Sequence, residues 1–241
     1  MSKLDKKPFL AAWQMLPSPQ VTVAMVSLGF DWVVVDLEHT SLTTQEAEAI
    51  FIAAEKYGCK PYVRLPFMDP YLARRMLDAG AQGVILPVVE ERKFFDQFAS
   101  HCFFPPKGKR GLGLVRANLW GEQLKEHFEN FQPQIIAQIE TRIGAQNIDE
   151  IIKSPFLDGV MVGPYDLSAS LGKAGQFEDP EFLEYVNHIF QTAKTNNKSI
   201  GYHQVQPDLG ELKKRCQEGY DFVAYGTDVV ALRHALKGIK T

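Results

Sequence analysis

Apolar and polar positions along the chain fall into two alternating kinds of segment. Short apolar runs, rich in β-branched and aromatic residues, recur as FLAAWQML, FDWVVVDLE, KPYVRLP, GVILPVV, QIIAQIE, LDGVMVG, KSIGYHQV and DFVAYGTD. Most are unbroken, which marks strands buried on both faces, as in a parallel sheet. Longer segments with helical stop signals lie between them. TTQEAEAIFIAAEKYG opens on a Thr cap and closes on Gly58, and DPYLARRMLDAG closes on Gly80. ERKFFDQFASH, EQLKEHFENF, IGAQNIDEIIKS, PEFLEYVNHIFQTAKTNN, PDLGELKKRCQEGY and VVALRHALKGIK continue the pattern. Eight strands and eight helix-sized intervals predict an α/β fold, a (β/α)8 TIM barrel. A doubly wound open sheet is the competitor, but it usually stops at five or six strands. No Gly- or Ser-rich linker divides the chain, so residues 1–241 are expected to form one domain.

One interval breaks the rhythm. Between the fourth and fifth strands, CFFPPKGKRGLGLVRANLWG carries two prolines and four glycines. Long loops in compact domains are usually functional. On a barrel this one is expected above the C-terminal face, with Arg110, Arg116, Asn118 and Trp120 forming a lid or an anion contact.

Composition narrows the function classes. The chain is 45% hydrophobic and 23% charged, with a net charge of −3. A chain of this length buries roughly 70–75% of its unfolded surface, so a full core is available. There is no basic stripe, which argues against nucleic acid as a partner. No apolar run reaches the ~18 residues of a membrane span. MSKLDKKPFL lacks the apolar stretch of a signal peptide. Cys59, Cys102 and Cys216 are scattered and fit neither a disulfide framework nor a zinc spacing, so reduced structural thiols and a cytoplasmic location are expected.

On a barrel, chemistry belongs to the C-terminal ends of the strands. QIIAQIET delivers Glu140, and LDGVMVGPYDLSASLG, about one βα unit further on, delivers Asp166. Two carboxylates facing one crevice suit a hard divalent cation such as Mg²⁺ or Mn²⁺. Strand two ends Asp36-Leu37-Glu38-His39, strand three at Arg64, strand five at Gln138-Ile139-Glu140, and strand seven near His203. A metal chelated by a 2-oxo acid stabilises an enolate. Arg64 is expected to pair with developing negative charge. Gln138 points to the same side of its strand as Glu140 and is placed to bond a ligand. His39 is expected to move a proton, with Asp36 orienting it. The amides after Gly163-Pro164, at Tyr165 and Asp166, form a candidate carboxylate cradle. Each acid taken alone is more often a helix cap or a loop ion pair, and it is the recurrence of these residue types on one rim that points to a site.

A Schiff-base mechanism needs a lysine at a strand's C-terminal end. Lys60 and Lys198 precede strands three and seven, on the opposite rim, so the pattern favours a metal. His101, His127, His188 and His234 fall in helical segments and read as surface residues. His203 is either a substrate-specificity contact or a satisfied strand-end side chain. Asp228, in YGTD, is expected to cap the last helix.

FDWVVVDLEHT, VRLP, LDAGAQGVILPVV, KRGLGLVRANLWG, AQIET, DGVMVGPYDLSASLG and FVAYGTD together resemble the class II, metal-dependent pyruvate aldolases of the phosphoenolpyruvate/pyruvate barrel superfamily. That family includes 2-dehydro-3-deoxyglucarate and 4-hydroxy-2-oxoheptanedioate aldolases. The resemblance runs over nearly the whole chain. It implies metal ligation by Glu140 and Asp166, acid/base work by His39 with Asp36, and Arg64 facing the pyruvate oxygen. It also implies Gln138 beside the metal, and a carboxylate cradle at Gly163 and the amides of Tyr165 and Asp166. It implies Mg²⁺, Mn²⁺ or Co²⁺ without an organic cofactor, and a dimer-based homo-oligomer, usually a hexamer, whose last helices are exchanged. The chain departs from the family at Tyr165, where a small residue is common. It also departs in a shorter Arg110–Arg116 segment, expected to border the aldehyde pocket, and in His203 and Gln204.

The expected reaction is reversible cleavage of a 4-hydroxy-2-oxo acid, such as a 2-keto-3-deoxy sugar acid, to pyruvate and an aldehyde. Two alternatives keep the barrel: a citramalyl- or malyl-CoA type thioester lyase, and a non-catalytic 2-oxo-acid-binding protein. Against the first, no basic cluster beyond Lys107, Lys109 and Arg110 offers itself to CoA phosphates.

Overall fold

The computed structural model describes residues 8–239, so most of the basic N-terminal stretch lies outside the described residues. Eight parallel strands close into a barrel in sequence order. They are β1 (Phe9–Gln14), β2 (Trp32–Asp36), β3 (Lys60–Arg64), β4 (Gly83–Leu86), β5 (Gln134–Ile139), β6 (Gly159–Val162), β7 (Ser199–Gln204) and β8 (Phe222–Tyr225). β8 pairs back onto β1, with Ala224 opposite Ala11. The surrounding helices are α1 (Pro19–Val26), α2 (Thr44–Glu55), α3 (Pro70–Asp78), α4 (Arg92–Ala99), α5 (Leu124–Asn130), α6 (Arg142–Gln146), α7 (Ile148–Ile151), α8 (Pro164–Ser170), α9 (Pro180–Thr195), α10 (Leu209–Glu218) and α11 (Asp228–Ala235). All eight expected strands are present. The segment read as one helix at IGAQNIDEIIKS is two short ones, and two helices were not expected, α1 between β1 and β2 and α8 directly after β6.

Local chemistry explains the helix ends. Thr43 and Glu46 form a reciprocal capping box at the start of α2, which satisfies two amide donors that the helix leaves unpaired. Asp69 and Asp179 each accept two amides at the starts of α3 and α9, ahead of a proline that needs no acceptor.

Alternate strand residues face the barrel axis. At the N-terminal end the interior is closed by aromatic rings: Trp32 stacks on Tyr62 at 4.4 Å and meets Phe222 at 5.1 Å. A side chain at Gly83 or Gly201 would overlap the Tyr62 or Phe222 ring, so both positions require glycine for packing. Above this floor sit Trp13, Val34, Ile85, Ile136, Met161 and Ala224, all buried. Burying each large side chain contributes roughly 1.5–3 kcal/mol. A second and larger apolar layer packs the outer faces of the strands against the helices. The next interior layer, towards the C-terminal ends, is polar. It begins with Asp36 and Arg64, which are opposite each other in the β2–β3 register.

The long connection lies elsewhere than expected. It leaves α4, not a strand, and so returns to the N-terminal rim. Its 3₁₀ segment, Arg116–Gly121, is held there by Arg116, which donates to the Ala79 carbonyl at 2.6 Å and pairs with Glu55 at 2.9 Å. Arg110 is buried against the Phe104 and Phe131 rings and donates to Asp78 at 2.7 Å. Asn118 is spent on loop backbone at Gly113, Val115 and Gly121. In this chain these residues brace the barrel's lower rim and form no lid over its own C-terminal face.

Two smaller expectations are also corrected. Thr227, not Asp228, caps α11, while the Asp228 carboxylate accepts the Met15 and Leu16 amides and ties β1 to the last helix. His127 is half-buried rather than a surface residue, stacked on Phe131 at 4.6 Å.

Candidate active site

The polar layer opens into a cavity of about 260 Å³ at the C-terminal mouth. Asp36, His39, Arg64, Gln138, Gly163, Pro164, Tyr165 and Asp166 all line it, together with Trp13, His203 and Thr227. Glu140 is buried beside the wall, reached through Gln138 and Gly163. No lysine is among the described residues lining the cavity. Lys60 opens β3, and Lys198 donates to the Leu157 carbonyl at 2.5 Å on the opposite rim.

Arg64 is fixed from several sides. Its Nε donates to Asp36 Oδ1 at 2.9 Å and its second terminal nitrogen to Oδ2 at 2.5 Å. Its remaining nitrogen lies 3.0 Å from Glu38 Oε2, and its guanidinium sits 4.8 Å from the Trp13 ring. A planar fork held in this way keeps one orientation, which a lysine would not. Burial alone would raise the Asp36 pKa, but Arg64's hydrogen bonds and charge prevail, and the carboxyl is held below its ordinary value. Asp36 also accepts the Trp13 indole at 3.3 Å and the backbone N–H groups of Glu38 and His39 at 3.0 and 3.3 Å. Its oxygens are therefore taken by Arg64 and by the turn. The sequence reading has Asp36 orienting the His39 ring; here Asp36 holds that residue's amide, and the nearby carboxylate is Glu38, 3.8 Å from His39 Nε2.

Glu140 is held by two donors. The Val88 amide donates to Oε1 at 2.7 Å, and the Gln138 side-chain amide donates to Oε2. Val88 makes this bond from a left-handed conformation, φ 52°, which is rare for a β-branched residue. Gly163 serves the same carboxylate, since a Cβ there would stand 2.7 Å from Glu140 Oε2. The glycine read as making room for a ligand makes room for Glu140. Tyr165 and Asp166 occupy the first turn of α8, where the first helical bond is Leu167 N–H to the Gly163 carbonyl. Amides ahead of that bond have no acceptor within the helix. The Tyr165 ring packs edge-on against Phe177 at 5.0 Å, adding the bulk noted in the sequence.

The electrostatics suit a cation. Burial pushes Glu140 up to about 7, against the pull of its two donors, and the charges of Asp166 and Glu38 push the same way. Burial likewise raises Glu38 to about 7, with Arg64 opposing and Asp36 and Asp166 assisting. Among the described residues, no three His, Cys, Asp or Glu side chains gather as a complete metal cage. The donor set is instead an open one. Glu140 and Asp166 would supply two carboxylates, leaving positions for substrate and water, as Mg²⁺-type ions prefer. The crowded, under-compensated acids fit such an ion.

The sequence reading passed over three contributors. Glu38 was visible in D-x-E-H but was not assigned a role. Trp13 comes from a strand read only as apolar. Val88 acts through its backbone, which no side-chain pattern shows. His203, left open between two readings, stacks on Trp13 at 4.1 Å and is buried, yet its Nε2 has no hydrogen-bond partner. An unpaired buried polar atom costs about 1–3 kcal/mol, so this side chain is not a satisfied one.

Residues 10–235 match the model of the HpcH/HpaI aldolase/citrate lyase family. The chain belongs to that family. It is 34% identical over 227 residues to a 5-keto-4-deoxy-D-glucarate aldolase of Salmonella paratyphi C, covering 93% of this chain and 88% of that one. A crystal structure of an HpcH/HpaI aldolase/citrate lyase family protein from Burkholderia cenocepacia superposes with TM-score 0.89 at 27% identity, covering 99% and 97% of the two chains. An HpcH/HpaI aldolase from Desulfitobacterium hafniense gives 0.88 at 26% identity, covering 97% and 92%. The expected class is thereby established: this HpcH/HpaI-family barrel is an aldolase, a carbon–carbon lyase that acts on small molecules. The family is metal-dependent, in keeping with the donor set described above. No helix among the described residues is long and apolar enough to cross a membrane.

Proposed function

We propose that this aldolase reversibly cleaves a 4-hydroxy-2-oxo acid to pyruvate and an aldehyde, with a divalent metal held by Glu140 and Asp166. The observation that carries the reading is the orientation of Arg64. Asp36 and Glu38 fix its guanidinium on the wall that also holds Gln138 and the under-compensated acids. When bound, Mg²⁺, Mn²⁺ or Co²⁺ supplies Lewis acidity towards the 2-oxo acid. Gln138 and the amides of Tyr165 and Asp166 receive the C1 carboxylate. Arg64 faces the C2 oxygen and stabilises the negative charge that develops there. His39, with Glu38 beside it, takes the C4 hydroxyl proton as the C3–C4 bond breaks, and a proton delivered to C3 then completes pyruvate. Asp36 keeps Arg64 in place and does not touch the substrate.

The finer properties belong to the same proposal. The cofactor is the metal alone, with no organic group. The enzyme assembles as a dimer-based homo-oligomer, a hexamer, exchanging α11. Leu232, Leu236 and Ile239, exposed on and after that helix, support this. The location is cytoplasmic, in keeping with Cys59 and Cys102, thiols that burial raises to about 12. The three departures leave the named substrate of the Salmonella relative unassigned here.

The deciding experiment is pyruvate methyl-proton exchange in D₂O followed by NMR. Exchange that requires added Mg²⁺, Mn²⁺ or Co²⁺ is expected. No exchange with any of them in folded protein would overturn the reading, and a CoA thioester would then be the next substrate to assay.

A further inference from the structure

The two carboxylates assigned to the cation are held in different ways. Glu140 is fixed directly, by the Val88 amide and the Gln138 side chain. The Asp166 carboxylate accepts no hydrogen bond from the described residues, so its position is that of α8. That helix has seven residues, and no side chain caps its start. A helix this short has little stability of its own, and its place is set by what ties it down.

One tie reaches back to the other carboxylate. Ser170 lies one turn after Asp166, on the same face of α8. Its Oγ accepts the Arg142 amide at 2.9 Å and donates to the Leu167 carbonyl at 2.9 Å. Arg142 opens α6, just after Glu140 and Thr141. Its amide has no acceptor within that helix, and the Thr141 cap is spent on the Gly144 amide at 3.0 Å. The Ser170 hydroxyl therefore joins the turn leaving Glu140 to the helix carrying Asp166. The Ser168 hydroxyl makes a different link, accepting the Gly175 amide at 3.0 Å and tying α8 to the loop that follows it. The Arg142 side chain is engaged separately, by Glu181 of α9.

We propose that Ser170 is a positioning residue that sets the spacing of Glu140 and Asp166 for a divalent cation by clasping the Arg142 amide. This rests on the assignment of those two carboxylates as metal ligands in the reading above.

The test removes each end of the clasp and measures Mn²⁺ affinity by calorimetry, with urea unfolding alongside. Ser170→Ala deletes the acceptor. Arg142→Pro deletes the donor at a position that accepts proline: it is the first of its helix, and Thr141 before it is already extended, φ −126° and ψ 155°. Arg142→Ala, which keeps the amide, is the reference for the lost side chain. Ser170→Ala and Arg142→Pro are each expected to weaken Mn²⁺ binding by about 3- to 10-fold, the range one hydrogen bond supplies. Measured against Arg142→Ala, combining them costs no more than either alone, because both remove the same bond. Ser170→Thr, which keeps the hydroxyl, stays close to the wild type. At saturating Mn²⁺ the pyruvate exchange rate recovers in both variants. A hydroxyl that only satisfies an unpaired amide would lower stability and leave Mn²⁺ affinity unchanged, and that result overturns the proposal. Additive losses in the double variant overturn it too. A wild type that binds no Mn²⁺, or binding that Glu140→Gln does not weaken, overturns the metal assignment beneath it.

Discussion

The Val88 amide reaches Glu140 Oε1 at 2.7 Å from a backbone conformation that valine seldom adopts, φ 52°. Left-handed geometry at a non-glycine residue costs about 1–3 kcal/mol and persists where surrounding structure enforces it. The Val88 side chain is half-exposed, so little burial is at stake. Val88→Gly keeps the amide and removes the strain. It is expected to stabilise the protein by roughly 1 kcal/mol in denaturant unfolding, with Mn²⁺ affinity retained. A destabilised variant would mean the side chain contributes more than its conformation costs.

Replacing Arg64 by lysine keeps the charge and loses the fork. The expected result is a fall in kcat of about 10²–10³-fold, the scale of losing one aimed donor at a developing oxyanion. Asp36→Ala leaves that guanidinium buried without its main partner and should cost about 3–5 kcal/mol of stability. Steady-state kinetics and urea unfolding separate the two effects.

Glu140→Gln preserves shape while removing the charge that a cation needs. Calorimetric titration with Mn²⁺ should show affinity lower by about 100-fold or more, beyond the 10–100-fold typical of losing an outer-shell partner. Chelation by EDTA should abolish lyase activity in the wild type, with Mn²⁺ restoring it. Unchanged affinity in the variant would remove Glu140 from the ligand set.

Without a lysine on the cavity wall, carbonyl substrates have no amine to condense with. Borohydride added with pyruvate is expected to leave activity intact and the protein mass unchanged. A reduced adduct seen by mass spectrometry would require an imine mechanism instead.

His203 provides a pH test of stability. Burial, reinforced by Arg64, pushes its pKa down to about 3, below the unfolded value near 6.5. Its contribution is complete above pH 6.5 and is lost as pH falls from there through about 3, because the unfolded chain binds the proton first. Between pH 6.5 and 4.5 the wild type should lose up to roughly 2 kcal/mol that His203→Gln does not lose. Parallel slopes for the two proteins would show that His203 accepts a proton in the folded state.

The barrel was legible because each doubly buried strand must be an unbroken apolar run, and the runs of β2 and β6 cannot be hidden among polar residues. The strand-end acids were legible for a related reason, since a carboxylate closing such a run is out of place unless it faces a site. What stayed hidden depends on three-dimensional choices. Asp36 and Glu38 compete for the same arginine, and only packing decides which of them binds it in two-pronged fashion. Val88 contributes a main-chain atom. The residues from Arg110 to Trp120 look chemical by composition, yet their location follows from the helix before them and not from their own side chains. Thr227 and Asp228 are adjacent, and the cap falls to whichever has the extended backbone.

The aromatic floor formed by Trp32, Tyr62 and Phe222 closes the barrel's far end, so the cavity has a single mouth. Traffic through one opening imposes an order. Under the proposed assignment, the pyruvyl half lies deepest, against Arg64 and Gln138, and the aldehyde lies above it. Cleavage must then release the aldehyde before pyruvate, and synthesis must load pyruvate first. Excess aldehyde should therefore inhibit condensation by filling the empty cavity ahead of pyruvate.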